Sequence, residues 1–210
     1  MKIFRLSPES PASRCATIGT GAVLTIAAYD RHVEQLFDVL QRLAKAFSQA
    51  GIDYRLVGGL AVFFHVHNRD PLAARATRDI DLAVERRELA RIAEVVRPFG
   101  FEHRHTAGVD LLVDAQQPKA RSSAHLVFIR EKVRPGYLEP VPGFSQPVKT
   151  SEGVLLAPVA DLVRMKLTSF RLKDRVHLKD LDGVGLITAE IESQLPEPLL
   201  DRLHEVRATE

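Results

Sequence analysis

Two aspartates lie one residue apart in RATRDIDLAV, residues 75–84, where apolar residues separate and follow them. Side chains alternate between the faces of a β-strand, so Asp79 and Asp81 project from the same face, about 6–7 Å apart along the chain. Two carboxylates this close disfavour each other's ionisation unless positive charge lies between them. A divalent cation such as Mg²⁺, held jointly by carboxylates and substrate phosphates, supplies that charge. The pair is a candidate metal site, although solvated acids on an exposed edge strand would show the same pattern.

Two adjacent glycines precede these acids in LVGGLA, residues 56–61. The residues before them predict a short strand, and the residues after them predict a helix. Gly58 and Gly59 therefore fall in a strand-to-helix turn, where backbone N–H groups can approach a phosphate and the helix N-terminus adds favourable partial charge. A tight turn needs glycine in any case, but the position of this Gly-Gly turn before the D-x-D strand favours a phosphate-binding turn that faces a metal site.

Arginines flank the two acids. Arg75 and Arg78 can clamp a phosphate through two parallel hydrogen bonds, or they can neutralise the aspartates when no metal is bound. The sequence leaves both interpretations open.

The stretch VRMKLTSFRLKDRVHLKDL predicts a helix that carries several cations. If this helix is unbroken, its period places Lys166, Lys173, His177 and Asp180 within about 40° of one another. For Lys173 and Lys179 the simpler interpretation is a solvated basic face whose stems cover apolar surface.

The order of these motifs resembles the nucleotidyltransferases of the DNA-polymerase-β-like superfamily. Members of that superfamily carry an apolar residue and Gly-Gly or Gly-Ser, followed by an acid–apolar–acid strand. Here the matching residues are Val57-Gly58-Gly59 and then Asp79-Ile80-Asp81.

Two further segments look like the abortive-infection (AbiEii-type) toxin-like family within that superfamily. One is the run that places Arg75 and Thr77 before the acids, and the other is DLVRMKLTSFRLKDRVHLKDL, residues 161–181. The resemblance covers roughly residues 30–185.

The resemblance implies roles for the matching positions. It implies metal ligation and catalysis by Asp79 and Asp81, and nucleotide contacts by Gly58, Gly59, Arg75 and Thr77. Lys166 is implied to neutralise triphosphate charge and to take part in catalysis. Two ions, Mg²⁺ or Mn²⁺, would stabilise the attacking and leaving oxygens of an in-line displacement at the α-phosphate of an NTP.

The superfamily adds a third carboxylate from a neighbouring strand, and this sequence has no clean match. Asp110 in GVDLLVD is the preferred candidate, whereas His125 in SSAHLVFIREKV occupies a strand where an acid would be expected. The segment EHRH, residues 102–105, is interpreted as solvated strand residues, because alternation separates its histidines from Glu102.

The pattern of elements predicts an α/β (α+β) fold, with a small mixed sheet flanked by helices and a C-terminal helical region. An amphipathic helix is expected over residues 30–50, capped by Asp30 and ended by Gly51. Three later segments have strand character: 101–106, 109–113 and 124–130. 

Three regions are expected along the chain. Residues 1–28 form an N-terminal arm, residues 29–150 form the nucleotidyltransferase core, and residues 151–210 form the helical region that closes the cleft.

Composition limits the possible classes of protein. The chain has 210 residues, 45% of them hydrophobic and 27% charged, with a net charge of +2, so bulk charge does not indicate tight nucleic-acid binding. The single cysteine excludes an intramolecular disulfide and a Cys-rich zinc site, and it fits a reducing cytoplasm. Residues 16–29 are too short to span a bilayer, so we expect an arm there rather than a signal peptide, and no membrane association.

The resulting hypothesis is metal-dependent transfer of a nucleoside monophosphate from an NTP to an acceptor hydroxyl. By resemblance the acceptor is an RNA end such as that of tRNA, or a protein, and the chain is the toxin of a toxin–antitoxin pair with an antitoxin partner. The alternative is a catalytically inactive nucleotide-binding or interaction protein with the same fold. A glycosyltransferase, which also uses D-x-D, is disfavoured by the Gly-Gly turn and the lysine-bearing helix.

Overall fold

The computed structural model describes residues 26–75, 77, 79–116 and 123–209. The helices are α1 Ile26–Ala50, α2 Gly58–Arg69, α3 Leu89–Val95, α4 Val159–Ser169, α5 Leu172–Gly183, α6 Ala189–Ser193 and α7 Glu197–Ala208. The strands are β1 Arg55–Val57, β2 Ile80–Val84, β3 Phe101–Thr106, β4 Val109–Asp114, β5 Ser123–Phe128, β6 Val148–Lys149 and β7 Leu155–Leu156. Within these described ranges, no helix combines the length and apolar character needed to cross a membrane.

A single seven-stranded sheet organises these elements, in the order β3-β4-β5-β2-β1-β7-β6. The pairs β2–β5 and β1–β7 are parallel and the other pairs are antiparallel. This mixed sheet with its helices confirms the predicted fold class. β7 lies beyond the predicted boundary at residue 150 and still joins the sheet of the core.

Alternation along β2 separates the core from the acids. Ile80 and Leu82 are fully buried, whereas Asp81 between them is only partly covered. The predicted helix α1 contributes its apolar stripe to the same core through Leu36, Leu40, Leu43 and Phe47.

The start of α1 differs from the prediction. The helix begins at Ile26, so Asp30 lies inside the helix and does not cap it. The physical reason is that two alanines, the strongest helix formers, precede Asp30 and let the helix extend towards the N-terminus. Residues 1–25, which include most of the predicted arm, lie outside the described residues.

The predicted helix over residues 161–181 is broken at Phe170. Phe170 adopts the left-handed conformation, with φ at 48°, and its N–H donates to the carbonyl of Lys166 to end α4. A new helix, α5, then begins with the Asp174 carboxylate accepting from the backbone N–H of Arg171 at 3.3 Å. The angular relation expected between Lys166 and the residues of α5 is therefore lost.

A buried charge network joins the two helices at this break. The Lys166 ammonium lies 2.9 Å from Asp174, whose side chain has 0% exposure. The same carboxylate accepts from the Ser169 hydroxyl and from Arg171, each at 2.7 Å. Burial alone would raise the pKa of Asp174, but the Arg171 hydrogen bond and the Lys166 charge hold that pKa well below its ordinary value.

Replacing Asp174 by alanine should destabilise the protein by about 3–5 kcal/mol, because Lys166 would keep a buried charge without its carboxylate. Urea unfolding measures the change in free energy. The control is Asp201→Ala, which removes an exposed carboxylate of α7 and should shift stability by no more than about 0.5 kcal/mol. Equal effects of the two substitutions would contradict this account of the network.

Candidate active site

The Gly-Gly turn and the D-x-D strand are in direct contact. β1 and β2 are antiparallel neighbours, and Val57 pairs with Asp81. Gly58 follows at once with φ at +73°, and a Cβ atom placed on it would lie 2.0 Å from Oδ2 of Asp81. Only glycine satisfies both the left-handed backbone and this approach.

The turn also opens a helix. α2 begins at Gly58, and its cap residue, Val57, has no side-chain acceptor for the first N–H groups of the helix. A Cβ atom on Gly59 would lie 2.8 Å from Oγ1 of Thr77 and 3.1 Å from Cε1 of His177. Thr77 and His177 therefore border the turn where a phosphate would approach.

The two acids differ in their surroundings. The Asp79 side chain is 52% exposed and lies 3.8 Å from the ammonium of Lys173. The Asp81 side chain is 28% exposed and its Oδ1 lies 3.2 Å from Nδ1 of His125. Asp79 is thus the more accessible carboxylate, and Asp81 is the more firmly held one.

One face of α5 runs along the segment that carries the acids. Lys173 approaches Asp79, His177 borders Gly59, and Asp180 accepts from Arg75 at 2.8 Å. These three α5 residues follow the helical spacing expected from the sequence, although Lys166 does not share their face. For Lys173 the sequence favoured a solvated cation over a contact with the nucleotide, and the structure places its exposed ammonium beside Asp79.

Two predicted nucleotide contacts are engaged elsewhere. The guanidinium of Arg75 pairs with Asp180, and Arg75 does not line the cavity that contains the acids. Lys166 does line that cavity, but its ammonium is bound to Asp174 and its side chain is only 6% exposed. Arg78 lies outside the described residues.

The sheet register decides which residue accompanies Asp81. β5 lies beside β2 in parallel, and Asp81 pairs with His125. Asp110 on β4 pairs with Leu126, so its side chain projects from the face opposite to Asp81. The structure therefore places His125, and not Asp110, beside the D-x-D pair.

Asp110 instead forms a cluster with the histidines of EHRH. Its buried carboxylate lies 2.8 Å from Nε2 of His103 and 3.0 Å from Nδ1 of His105. Burial alone would raise the pKa of Asp110, but these two hydrogen bonds lower it. Three residues of EHRH are exposed as expected and His103 is only partly covered, but both histidines also contact Asp110, because residues two apart on β3 share its face.

The acids open into a cavity of about 710 Å³, a volume within the range of small-molecule sites. The predicted residues on its wall are Gly58, Gly59, Thr77, Asp79, Asp81, Asp110 and Lys166. His125, Arg171, Lys173 and His177 also line it. In the described part of the chain, no three His, Cys, Asp or Glu side chains are already gathered around one metal position. Two accessible carboxylates nevertheless suit a hard cation whose remaining ligands are phosphates and water.

Two of the histidines that line the cavity, His125 and His177, have pKa values shifted in opposite directions. The hydrogen bond to Asp81 raises the pKa of His125, and the charge of Asp79 adds to this effect. Burial lowers the pKa of His177 to about 4, and the nearby Lys166 charge acts in the same direction. Among the described residues, buried Nδ1 of His177 has no hydrogen-bond partner, and with this lowered pKa His177 is neutral near pH 7.

Comparison with known proteins gives the fold. No protein-family model matches the chain, and no curated protein matches it. A solved structure of an antigenic nucleotidyltransferase-like protein from Paracoccidioides brasiliensis is similar over 82% of this chain and 87% of that chain, with a TM-score of 0.54 and 17% identity. The chain has a nucleotidyltransferase-type fold.

Two further solved structures are similar at lower TM-scores. The Megavirus polyadenylate synthase has a TM-score of 0.46 at 11% identity and covers 80% of this chain and 33% of that chain. The antibiotic-resistance factor ANT(2'')-Ia has a TM-score of 0.43 at 11% identity over 83% of each chain. The finer resemblance to the abortive-infection family stays a prediction.

Substituting Gly58 by alanine should destabilise the protein more than the same change at Gly108. Both glycines have φ near +74°, but a Cβ atom on Gly108 meets no atom within 4 Å. The backbone strain, about 1–2 kcal/mol, is then common to both variants. The collision with Asp81 should add about 1–3 kcal/mol for Gly58→Ala alone. Urea unfolding of the two variants tests this, and equal losses would show that the contact with Asp81 costs nothing.

The lowered pKa of His177 predicts a loss of stability in acid. As pH falls from 6.5 towards about 4, His177 becomes protonated in the unfolded chain but stays neutral in the folded protein. The free energy of unfolding therefore decreases. In His177→Gln this decrease between pH 7 and pH 4.5 should be smaller than in the wild type, as measured by urea midpoints. His204→Gln, which removes an exposed imidazole of α7, should retain the wild-type decrease.

Proposed function

We propose that this chain transfers a nucleoside monophosphate from an NTP to an acceptor hydroxyl. The observation that carries the proposal is the contact between Gly58 and Asp81, which joins a phosphate-type turn to the D-x-D acids on one cavity wall. A turn with open N–H groups and a pair of accessible carboxylates are together what a metal-bound triphosphate requires.

The roles of the residues follow from their surroundings. Asp79 and Asp81 would hold Mg²⁺ or Mn²⁺, which when bound offsets charge on the attacking and leaving oxygens. The N–H groups of Gly58 and Gly59 would bind phosphate oxygens, with Thr77 beside them. Lys173, whose ammonium is exposed next to Asp79, would neutralise triphosphate charge in place of the buried Lys166.

The reaction is an in-line displacement. The acceptor oxygen forms a bond to the α-phosphorus while the bond from that phosphorus to the bridging oxygen breaks, and pyrophosphate leaves. The acceptor hydroxyl releases its proton to solvent. The cavity residues act by orienting the triphosphate, because positioning and electrostatic stabilisation dominate catalysis of phosphoryl-type transfers.

The proposed acceptor and the proposed toxin role rest on the motifs of the sequence. The resemblance to the abortive-infection family supports an RNA end, such as that of tRNA, or a protein side chain as the acceptor. It also supports a toxin role with an antitoxin partner. The ion pair between Arg75 and Asp180 links the two segments on which this resemblance rests, which supports the finer assignment.

A second candidate function is nucleotide binding without turnover. The observation that favours it is His125, which takes the place beside Asp81 where the superfamily pattern has a carboxylate. Such a protein would bind an NTP at the same turn and release no pyrophosphate.

The deciding experiment incubates the protein with each α-labelled NTP, Mg²⁺ or Mn²⁺, and total tRNA. Transfer by the wild type should place label on tRNA or on protein and release pyrophosphate. The double variant Asp79→Ala/Asp81→Ala should reduce this at least about 100-fold, because it removes both metal-holding carboxylates.

Two controls separate the candidates. Asp201→Ala, on the exposed face of α7, should retain full transfer. If no label moves while an NTP raises the melting temperature of the wild type but not of the double variant, the binding function is correct. If an NTP has neither effect, both candidates are wrong.

A further inference from the structure

Asp81 and His125 contact each other and offer two different kinds of metal-ligand atom. The residues are paired neighbours on parallel strands, and the carboxylate oxygen lies 3.2 Å from the imidazole nitrogen. Both side chains line the cavity, and each is about one-third exposed. The sheet therefore presents an oxygen and a nitrogen donor side by side to the same space.

The spacing of these two atoms suits adjacent ligands of one metal ion. Metal–ligand bonds of about 2.1 Å that meet near a right angle place neighbouring donors about 3 Å apart. The register of β2 and β5 already holds the Asp81 oxygen and the His125 nitrogen 3.2 Å apart, close to that separation.

Asp79 is free to complete the set. Its side chain is 52% exposed, and its contact in the described structure is a 3.8 Å approach to the equally exposed Lys173. A rotation of this side chain about its own bonds would bring a second carboxylate towards the ion, and phosphate oxygens or water would fill the remaining positions. The donor set then contains two carboxylates and one imidazole.

The imidazole changes which ion the set favours. Mg²⁺ prefers oxygen ligands and loses its water reluctantly, whereas first-row transition-metal ions, Mn²⁺ included, accept an imidazole nitrogen more readily than Mg²⁺ does. An otherwise similar site with three carboxylates has no such bias. A histidine at position 125, where the superfamily pattern has a carboxylate, thus affects which metal ion the site favours as well as its activity.

We propose that His125 is a direct nitrogen ligand, with Asp81 and Asp79, of a divalent transition-metal ion, and that the site selects such an ion over Mg²⁺. Mn²⁺ serves as the probe. The proposal rests on the proposed function for its metal position, but it concerns the ligand and the ion, and it is tested without turnover.

The test is pulsed EPR of Mn²⁺ added to the full-length, nucleotide-free protein. A directly bound imidazole should produce ¹⁴N modulation of the Mn²⁺ signal. His125→Ala should abolish that modulation, whereas His204→Ala, which removes an exposed imidazole outside the cavity, should retain it. Modulation that is absent in the wild type, or that persists in His125→Ala, would overturn the proposal.

Competition provides an independent measure. Titration of Mg²⁺ against bound Mn²⁺ should show that His125→Asp lowers the Mn²⁺-over-Mg²⁺ preference at least about tenfold, the scale on which changes around a metal alter its affinity. Circular dichroism and urea midpoints identify any variant that fails to fold. An unchanged preference in folded His125→Asp would also overturn the proposal.

The outcome is separable from that of the proposed function. Label transfer without ¹⁴N modulation would refute the nitrogen ligand and leave nucleotidyl transfer intact. Modulation without label transfer would support the ligand and refute the transferase. If Asp81→Asn leaves Mn²⁺ binding unchanged, the shared metal position is wrong and the nitrogen ligand falls with it.

Discussion

The close approach of Gly58 to Asp81 is the constraint on which the rest of the site depends. All three residues of β1 pair with β2, and the register of this pairing places Val57 opposite Asp81. The first residue of α2 then passes within van der Waals reach of the carboxylate. The glycine pair, the start of the helix and the D-x-D strand are therefore one structural unit, whose geometry a single methyl group at Gly58 would disturb.

The buried pair of Lys166 and Asp174 has a different task. It joins α4 to α5 across the break at Phe170 and so decides how α5 meets the cavity. Removing two charges from water is costly, so such a pair adds little net stability, although breaking it leaves an uncompensated buried charge. As a result, the Lys166 ammonium is bound to Asp174 in the interior, whereas the Lys173 ammonium lies near the D-x-D acids.

The position beside Asp81 connects the function with the identity of the metal. A carboxylate there would add negative charge and favour a hard cation, whereas His125 adds a nitrogen donor and forms a hydrogen bond with Asp81. His125 thus gives the proposed metal site a donor set that differs from three carboxylates. Asp110, the acid that the sequence favoured for this position, also lines the cavity, but its carboxylate contacts two histidines and projects from the face of the sheet opposite to Asp81.

The sequence by itself determined five of the seven described strands, most helices and the grouping of Gly58 with the two acids, because hydrophobic periodicity and glycine turns are local properties; the two-residue strands β6 and β7 are too short to show such a pattern. It could not determine the break at Phe170, since that break depends on a carboxylate four residues later being buried among partners. The contact of Arg75 with Asp180 and those of Asp110 with two histidines could not be predicted from the sequence either. Only the tertiary structure placed His125 beside Asp81, because side-chain parity in a sheet depends on a register between strands more than forty residues apart.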